Sequence, residues 1–289
     1  MNETRGVLEL PAVGMLYLVG TPLGNLEDIT LRALRVLREV ELVAAEDTRV
    51  TRKLLSHYDI RARLVSYHRH NLARRTSELV TMLKQGKRIA LVSDAGMPGI
   101  SDPGEELVRM AVQEGIEIVP VPGPSAAITA LAVSGLPTSE FIFVGFLPRT
   151  AKQRRGVLAS LATQRCTLIA YEAPHRLLAT LRDLQAVFGT TRVVIARELT
   201  KAFEEIKRGT AEELLSHFTA TPPRGELTLV VAASQANFTT IHEPQNNFAE
   251  AVREAKQLIA AGKKKSEAAK LVAAQYQVAR TAVYRALSA

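Results

Sequence analysis

Short apolar runs alternate with amphipathic stretches along the first 120 residues of the chain. The apolar runs predict strands at Met15–Val19, Leu42–Ala45, Leu64–Tyr67, Arg88–Val92 and Ile116–Val121. The stretches between them have helical spacing, at Thr30–Glu39, Arg49–His57, Asn71–Gln85 and Gly104–Glu114. Strands that alternate with helices of this length are typical of βαβ units, so we expect a parallel sheet covered by helices.

The same alternation resumes after a break near Pro122-Gly-Pro124. Here the predicted strands are Phe141–Val144, Cys166–Tyr171, Arg192–Arg197, Glu204–Lys207 and Glu226–Ala232. The predicted helices are Lys152–Thr163, Pro174–Phe188 and Thr210–Phe218, and Thr210-x-x-Glu213 has the spacing of a capping box. The pattern therefore predicts two α/β domains, at 1–122 and 123–234.

The character of the chain changes after Ser234. Residues 235–247 are polar and predict a linker, and residues 248–289 predict a basic helical domain. Its helices are expected at Phe248–Ala261, at Glu267–Gln275 with Ser266 as the N-cap, and from Val278 or Ala279 through Leu287. The last two resemble a helix-turn-helix, and a plain helical hairpin that packs on a neighbour explains them equally well.

Three loops rich in glycine and proline follow strands of the first predicted sheet. They are Gly20–Asn25, Ser93–Gly104 and Pro120–Ser125. Each alone is explained by a tight turn. Because parallel strands point their carboxyl ends to one edge of the sheet, we expect the three loops to converge there on a ligand.

Composition narrows the class of protein. The chain has 289 residues, of which 47% are hydrophobic, and contains no apolar run of about 20 residues, so we expect no transmembrane helix. We see no basic and then apolar start typical of a secretory signal. The single cysteine, Cys166, excludes disulfides within the chain and cysteine-ligated metal sites. We therefore expect a cytoplasmic protein with no metal site.

Basic residues are clustered in this chain of net charge +8. Residues 49–75 hold eight Lys or Arg against Asp59 alone, and 241–289 hold eight against four Glu. Such clusters favour a polyanionic partner, although a solvated basic surface has the same composition. The candidate nucleic-acid-binding residues are Arg52, Lys53, Arg69, Arg74, Arg75, Lys263, Lys264, Lys265, Arg280 and Arg285.

Two classes of cofactor suit a sheet with glycine loops. Glu46 and Asp47 stand where an acid would bind the ribose of a dinucleotide, but Gly20-Thr-Pro-Leu-Gly24 lacks the Gly-x-Gly-x-x-Gly pattern. Its proline also removes an N–H that a pyrophosphate would need. S-adenosylmethionine, which has no pyrophosphate, fits these loops better.

Several motifs together resemble the tetrapyrrole-methylase superfamily, and most closely its ribosomal RNA small subunit methyltransferase I family. They are Leu16–Asn25, Ala45-Glu-Asp-Thr-Arg49, Ser93–Pro98 with Asp102-Pro-Gly104, Pro120–Ala126 and Tyr171-Glu-Ala-Pro-His-Arg176, within residues 14–232. The resemblance implies two α/β domains with S-adenosylmethionine in the cleft between them, and a homodimer. It also implies 2′-O-methylation of a cytidine in the decoding region of small-subunit ribosomal RNA, as free RNA or assembled subunit.

The same resemblance assigns cofactor-binding residues. From the first domain and the start of the second they are Pro22, Ser93, Asp94, Ala95, Met97, Pro98, Ile100, Pro122, Ser125 and Ala126. Further along the second domain they are Tyr171, and Glu226 and Leu227 of the motif Arg224-Gly-Glu-Leu227. The first loop departs from the Gly-x-Gly-x-Gly of many porphyrinoid enzymes. This departure weighs against a tetrapyrrole substrate.

The candidate catalytic residues are Asp47, Arg49, Glu172 and Lys201, with Glu46 and His175 also near the expected cleft. A ribose hydroxyl is a weak acid, so we expect a general base, and the hypothesis is that Asp47, with Arg49, orients or deprotonates the acceptor. Simple pairing of Asp47 with Arg49 or Arg52 is the alternative. Two other functions stay open: a small-molecule methylase of the porphyrinoid type, and a non-enzymatic RNA-binding assembly protein.

Overall fold

A computed structural model describes residues 14–233, 247–276 and 280–287 of the chain. These residues fall into two compact units, the first of residues 14–233 and the second of residues 247–276 and 280–287. The first unit holds both sheets, and the second is helical. Among the described residues, no helix is both long and apolar enough to cross a lipid bilayer.

The first sheet has the parallel architecture that the sequence predicts. Its strands run in the order β3-β2-β4-β1-β5, and every pair is parallel. The strands are β1 (Met15–Val19), β2 (Leu42–Ala45), β3 (Leu64–Ser66), β4 (Arg88–Val92) and β5 (Glu117–Val121). The helices are α1 (Leu31–Glu39), α2 (Thr48–His57), α3 (Leu72–Lys84) and α4 (Glu105–Gln113).

Helices cover both faces of this sheet. Alternate residues of β4 point to opposite faces, so Ala90 and Val92 pack in the core that holds residues of α1 and α2. Ile89 and Leu91 pack in the core that holds residues of α3 and α4. A strand buried on both faces is continuously apolar, which explains why β4 shows no alternation in the sequence.

The second sheet is mixed, in the order β6-β7-β10-β8-β9. β6 and β7 are parallel, whereas the other neighbours are antiparallel. Its strands are β6 (Phe141–Phe146), β7 (Thr167–Glu172), β8 (Arg192–Arg197), β9 (Glu205–Thr210) and β10 (Leu227–Val231). Its helices are α5 (Ala126–Ser134), α6 (Ala151–Ala162), α7 (Leu177–Phe188) and α8 (Ala211–Ala220). The predicted α/β fold with two sheets is thus confirmed, while the domain boundary at 122/123 stays a prediction.

Several predicted bounds need correction. Helix α5 was missed, because its residues Ala-Ala-Ile-Thr-Ala-Leu-Ala-Val-Ser are almost uniformly apolar and show no helical periodicity. Strand β6 continues past the predicted Val144 to Phe146. Strand β9 begins and ends later than predicted, because all of its residues from Glu205 to Thr210 pair with β8 although they are mostly polar. The capping box at Thr210 and Glu213 is confirmed.

The second unit contains α9 (Asn247–Ala260), α10 (Lys265–Gln275) and α11 (Arg280–Ala286). Small side chains form its core: Ala251, Ala255, Ala268, Ala269, Val272 and Val283. The prediction of Ser266 as an N-cap is wrong, because α10 begins at Lys265 with Lys264 in the cap position. The predicted linker, except for Asn247, and the predicted helix start at Val278 or Ala279 lie outside the described residues.

Candidate active site

The three glycine- and proline-rich loops meet at the carboxyl edge of the first sheet, as expected. The Gly20 N–H donates to the Val121 carbonyl at 3.1 Å. Thr21 and Gly96 exchange two backbone hydrogen bonds, each 3.0 Å long. The loops after β1, β4 and β5 are therefore joined by their backbones into one floor.

Two glycines let the first and third loops touch. A Cβ atom on Gly20 would lie 2.7 Å from the Gly123 Cα, and one on Gly123 would lie 2.8 Å from the Gly20 Cα. Real Cβ atoms do not approach backbone this closely. Both positions therefore require glycine for steric reasons.

A cavity of about 470 Å³ lies between this floor and the second sheet. Residues after β2 and β4 and at the start of α5 line one side, and residues of β6, β7 and β10 line the other. Loop 20–25 also contacts the second sheet's connections, since the Asn25 N–H donates to the Thr200 hydroxyl at 3.2 Å. The cavity is therefore a cleft with one wall formed by loops of the first sheet and the other by strands of the second sheet.

Most of the predicted cofactor-binding residues line this cavity. They are Asp94, Ala95, Met97, Ile100, Ser125, Ala126, Tyr171, Glu226 and Leu227. Pro22, Ser93, Pro98 and Pro122 belong to the same loops but do not reach the cavity wall. Ser93 supports the floor instead: its carbonyl accepts from the Thr21 hydroxyl at 3.1 Å, and its hydroxyl donates to the Ala95 carbonyl at 3.2 Å.

The N-terminus of α5 opens onto the cavity through Ser125 and Ala126. The Ser125 side chain makes no capping hydrogen bond, so the first-turn amides have no side-chain acceptor from the N-cap. A helix start of this kind attracts an anionic group, such as the carboxylate of an amino acid.

Three carboxyl groups stand on the floor side of the cavity: Glu46, Asp94 and Asp102. Burial raises the pKa of all three, and each also feels the negative charge of a neighbouring carboxylate. The effect is largest for Asp102, whose pKa rises to about 7 through burial and then through the charge of Glu46. The Ser93 hydroxyl and the Arg69 charge lower the pKa of Asp102 only in part.

Asp47 caps a helix and forms an ion pair outside the cavity. It caps α2 by accepting from the Arg49 N–H at 2.8 Å, and its Oδ2 pairs with Arg49 Nη2 at 2.6 Å. The hydrogen bonds from Arg49 lower the pKa of Asp47 to about 2. Neither residue lines the cavity. A carboxylate held ionised in this way is a weak proton acceptor, so the pairing alternative describes Asp47 better than the general-base hypothesis.

Glu172 and Lys201 are also committed to partners. Glu172 lines the cavity but is buried in contacts: it pairs with Arg176 at 3.1 Å and accepts from the Thr180 hydroxyl at 2.5 Å. The Lys201 Nζ pairs with Glu198 at 2.9 Å and Glu226 at 3.1 Å. These hydrogen bonds raise the pKa of Lys201 despite its partial burial. Both residues therefore hold the second sheet's side of the cleft in place.

The basic residues of segment 49–75 differ in their exposure and in their ion pairs. Arg52, Lys53 and Arg74 are exposed. Arg74 also forms an ion pair, since its Nη1 lies 3.3 Å from Glu78 Oε1. Arg75 is less exposed and pairs with Glu78 at 2.6 Å. Arg69 is exposed and its Nη2 donates to the Ser101 carbonyl at 3.3 Å, which brings this basic segment to the loop that carries Asp102.

The C-terminal basic residues belong to the second unit. Lys264, Arg280 and Arg285 are exposed. The Lys263 Nζ lies 3.7 Å from Glu267, and the Lys265 Nζ lies 5.2 Å from the centre of the Tyr284 ring. The helix-turn-helix interpretation of this unit stays a prediction.

Sequence comparison finds two levels of similarity. Residues 15–215 match the family model of the tetrapyrrole (corrin/porphyrin) methylases. The chain is 48% identical to the ribosomal RNA small subunit methyltransferase I of Halalkalibacterium halodurans over 94% of this chain and 93% of that protein. The protein of the same name from Thermotoga maritima is 52% identical and is covered over its whole length by 77% of this chain.

Solved structures resemble the two-sheet unit in fold. Uroporphyrin-III C-methyltransferase from Thermus thermophilus superposes with a TM-score of 0.57 at 24% identity, over 78% of this chain and 97% of that chain. Diphthine synthase superposes with a TM-score of 0.60 at 16% identity, over 76% and 90% of the two chains.

Proposed function

The chain belongs to the tetrapyrrole (corrin/porphyrin) methylase family and to its ribosomal RNA small subunit methyltransferase I group, and from this membership we propose that it methylates small-subunit ribosomal RNA. The finer proposal is methyl transfer to the 2′-oxygen of a cytidine in the decoding region. The observation that carries the proposal is the cleft itself, whose walls include residues of the motifs on which the family resemblance rests.

We propose S-adenosylmethionine as the methyl donor, and the chemistry of the cleft fits it. The uncapped start of α5 at Ser125 and Ala126 suits the carboxylate of the methionine part. Leu23, Met97 and Leu199 give the cavity apolar surface for a purine ring. Asp94 and Glu46 offer oxygen acceptors for ribose hydroxyls and for a positively charged group. When bound, S-adenosylmethionine supplies an activated methyl group on a positively charged sulfur.

The chain's own task is to position the acceptor hydroxyl and remove its proton. Asp102 suits the second task better than Asp47 does, because it lines the cavity and its pKa lies near 7. In this mechanism the Asp102 carboxylate would accept the proton that the acceptor hydroxyl loses as its oxygen gains the methyl group and the bond from that methyl carbon to the donor sulfur breaks. Arg69, which contacts the neighbouring Ser101, stands beside Asp102 and helps to hold the loop.

Binding of the RNA is assigned to the basic segment 49–75 and to the second unit. Arg52, Lys53, Arg69 and Arg74 are exposed on the same unit as the cleft. Exposed Lys and Arg bind phosphates and release counterions, which gives affinity without sequence preference. The second unit adds Lys264, Arg280 and Arg285. We further propose that the enzyme acts in the cytoplasm as a homodimer, on free ribosomal RNA or on the assembled small subunit.

The decisive experiment is methyl transfer from labelled S-adenosylmethionine to small ribosomal subunits from cells that lack this protein, followed by mapping of the modified nucleotide. The proposal expects label on one ribose 2′-oxygen at a cytidine. Absence of label on both subunits and naked RNA, with S-adenosylmethionine still bound tightly, would reject the RNA substrate.

Deletion of residues 241–289 separates the two enzymatic alternatives. If RNA is the substrate, the truncated protein should keep its affinity for S-adenosylmethionine and lose much of its activity on subunits, because eight basic residues are removed. A methylase of small porphyrinoid molecules has no use for this segment and should be unaffected.

A further inference from the structure

Strand β6 contains a bulge next to the cavity. Phe143 pairs with Ile169 of β7, but the next pair joins Phe146 to Tyr171, so β6 advances three residues while β7 advances two. The extra residue lies at Val144-Gly145, and Gly145 has φ +63°. This backbone conformation favours glycine.

The bulge changes the side of the sheet on which Phe146 lies. Residues three apart in a regular strand point to opposite faces. Phe143 packs in the core beside α5, so without the bulge Phe146 would face the opposite layer, where Val144 packs beside α6 and α7. Instead, Phe143 and Phe146 both contact the Tyr171 ring. The centre of the Phe143 ring lies 5.0 Å from that of Tyr171, and the centre of the Phe146 ring lies 5.6 Å from it. The extra residue therefore turns Phe146 toward the cavity.

The bulge in β6 also lies against the loop that follows β4 of the first sheet. A Cβ on Gly145 would lie 2.8 Å from the Ser101 Oγ, so the glycine lets the bulge approach the loop that carries Ile100, Ser101 and Asp102. Phe146 and Ile100, from opposite sides of the cleft, both line the cavity, yet 56% of Phe146 and 52% of Ile100 remain exposed. A large aromatic ring is thus presented to solvent in the same cavity as Asp102, the carboxyl that we assign as proton acceptor.

We propose that the exposed face of Phe146, with Ile100 on the other wall, is the subsite that receives the base of the nucleotide to be methylated. This proposal rests on the proposed RNA substrate. Aromatic faces bind unstacked bases, and a ribose hydroxyl reaches a carboxyl inside a cavity between two sheets only when its nucleotide leaves the surrounding stack. Stacking of the base on Phe146 holds the ribose beside Asp102, and the edge contact of Tyr171 keeps the Phe146 ring in place.

The test compares Phe146→Ala, Phe146→Leu and Phe146→Tyr in the full-length protein. The assay uses unmodified small ribosomal subunits, with kcat and KM measured for the subunits and the affinity for S-adenosylmethionine measured by calorimetry. Phe203→Ala is the matched control, because Phe203 is 76% exposed and does not line the cavity.

We expect Phe146→Ala to lower kcat/KM for subunits by about tenfold to a hundredfold, the range of a lost base–aromatic stack. Phe146→Tyr should keep activity, whereas Phe146→Leu, which is apolar but has no aromatic face, should lose most of it. S-adenosylmethionine affinity should stay unchanged in all three variants, and Phe203→Ala should match the wild type.

Two results would overturn the subsite while leaving the RNA substrate intact. One is a wild-type kcat/KM in Phe146→Ala. The other is weakened S-adenosylmethionine binding in Phe146→Ala, which would place the cofactor's own adenine on this ring. If the wild-type protein methylates no RNA at all, the proposed function itself fails, and this result is recognised before any variant is made.

Discussion

Asp47 and Arg49 form a two-point ion pair at the start of α2, with Arg49 Nη2 2.6 Å from Asp47 Oδ2 and Arg49 Nε 3.0 Å from Oδ1. The pair fixes the helix start, because Asp47 also caps it. Asparagine is an equally good N-cap, so Asp47→Asn should keep the helix and lose only the charge. We expect it to retain more than half of the wild-type turnover. A tenfold fall in turnover with unchanged S-adenosylmethionine affinity would return Asp47 to the role of base.

Asp102 should give the reaction its dependence on pH. Its carboxylate is the proton-accepting form, and its pKa lies near 7 in the protein without substrate. The kcat/KM of the wild type should therefore rise as the pH increases through about 7 and then level off. Asp102→Asn should lower kcat/KM by about a hundredfold or more and remove this rise. A variant that keeps the wild-type profile would exclude Asp102 as the proton acceptor.

The same carboxyl should cost the protein stability in alkaline solution. The pKa of Asp102 is about 7 in the folded protein and 3.8 for an ordinary aspartate. Between these values the folded protein holds a proton that the unfolded chain releases, so the free energy of unfolding falls as the pH rises through this window. Asparagine does not titrate. The melting temperature of Asp102→Asn minus that of the wild type should therefore be larger at pH 8 than at pH 4. An equal difference at the two pH values would contradict the assignment.

Gly20 should tolerate no side chain. Gly20→Ala would place a Cβ 2.7 Å from the Gly123 backbone, so we expect it to reduce the free energy of unfolding by about 1–3 kcal/mol and to weaken S-adenosylmethionine binding. Gly156→Ala is the control: Gly156 lies on the exposed side of α6 with open space around it. This control should increase stability by about 0.5–1 kcal/mol, as measured by urea unfolding.

Arg69 and Arg74 should contribute to RNA affinity through phosphate contacts. The double variant Arg69→Ala/Arg74→Ala should bind RNA more weakly and reduce the slope of log affinity against log salt by about 1 to 2. Arg109→Ala is the control, because Arg109 is also exposed and ion-paired, with Glu106 at 2.6 Å, but lies outside the basic segment. Since Arg69 also contacts Ser101, the affinity for S-adenosylmethionine is measured in parallel. An unchanged salt slope would remove this segment from the interface.

The sequence predicted the sheets and the converging loops well, because their signals are local. Buried parallel strands such as β4 are continuously apolar, and glycine and proline mark the loops that follow them. The sequence also picked out loop residues that line the cavity, such as Asp94 and Met97, and their binding of a cofactor stays a prediction. It could not separate these from Pro22 or Ser93, since the direction of a side chain in a loop depends on contacts that the sequence does not display.

The features that the sequence did not reveal depend on tertiary context. The pKa of Asp102 follows from its burial and from Glu46, which is 56 positions away in the chain. The orientation of Phe146 follows from one extra residue in β6, which no pattern in Phe-Ile-Phe-Val-Gly-Phe indicates. The α5 helix was hidden because its outer and inner faces are equally apolar.

The strand order of the first sheet has a consequence for how the chain folds as it is made. β1 is synthesised first, but its two partners are β4 at residues 88–92 and β5 at residues 117–121. At an elongation rate of about 5–20 residues per second, β1 waits for about 5–20 seconds before both partners have been synthesised. Its apolar edge is open to chaperones or to mispairing in that interval. The loop at Gly20 can therefore close on Gly123 only late in synthesis, and the methyl-donor site should be one of the last parts of the first sheet to form.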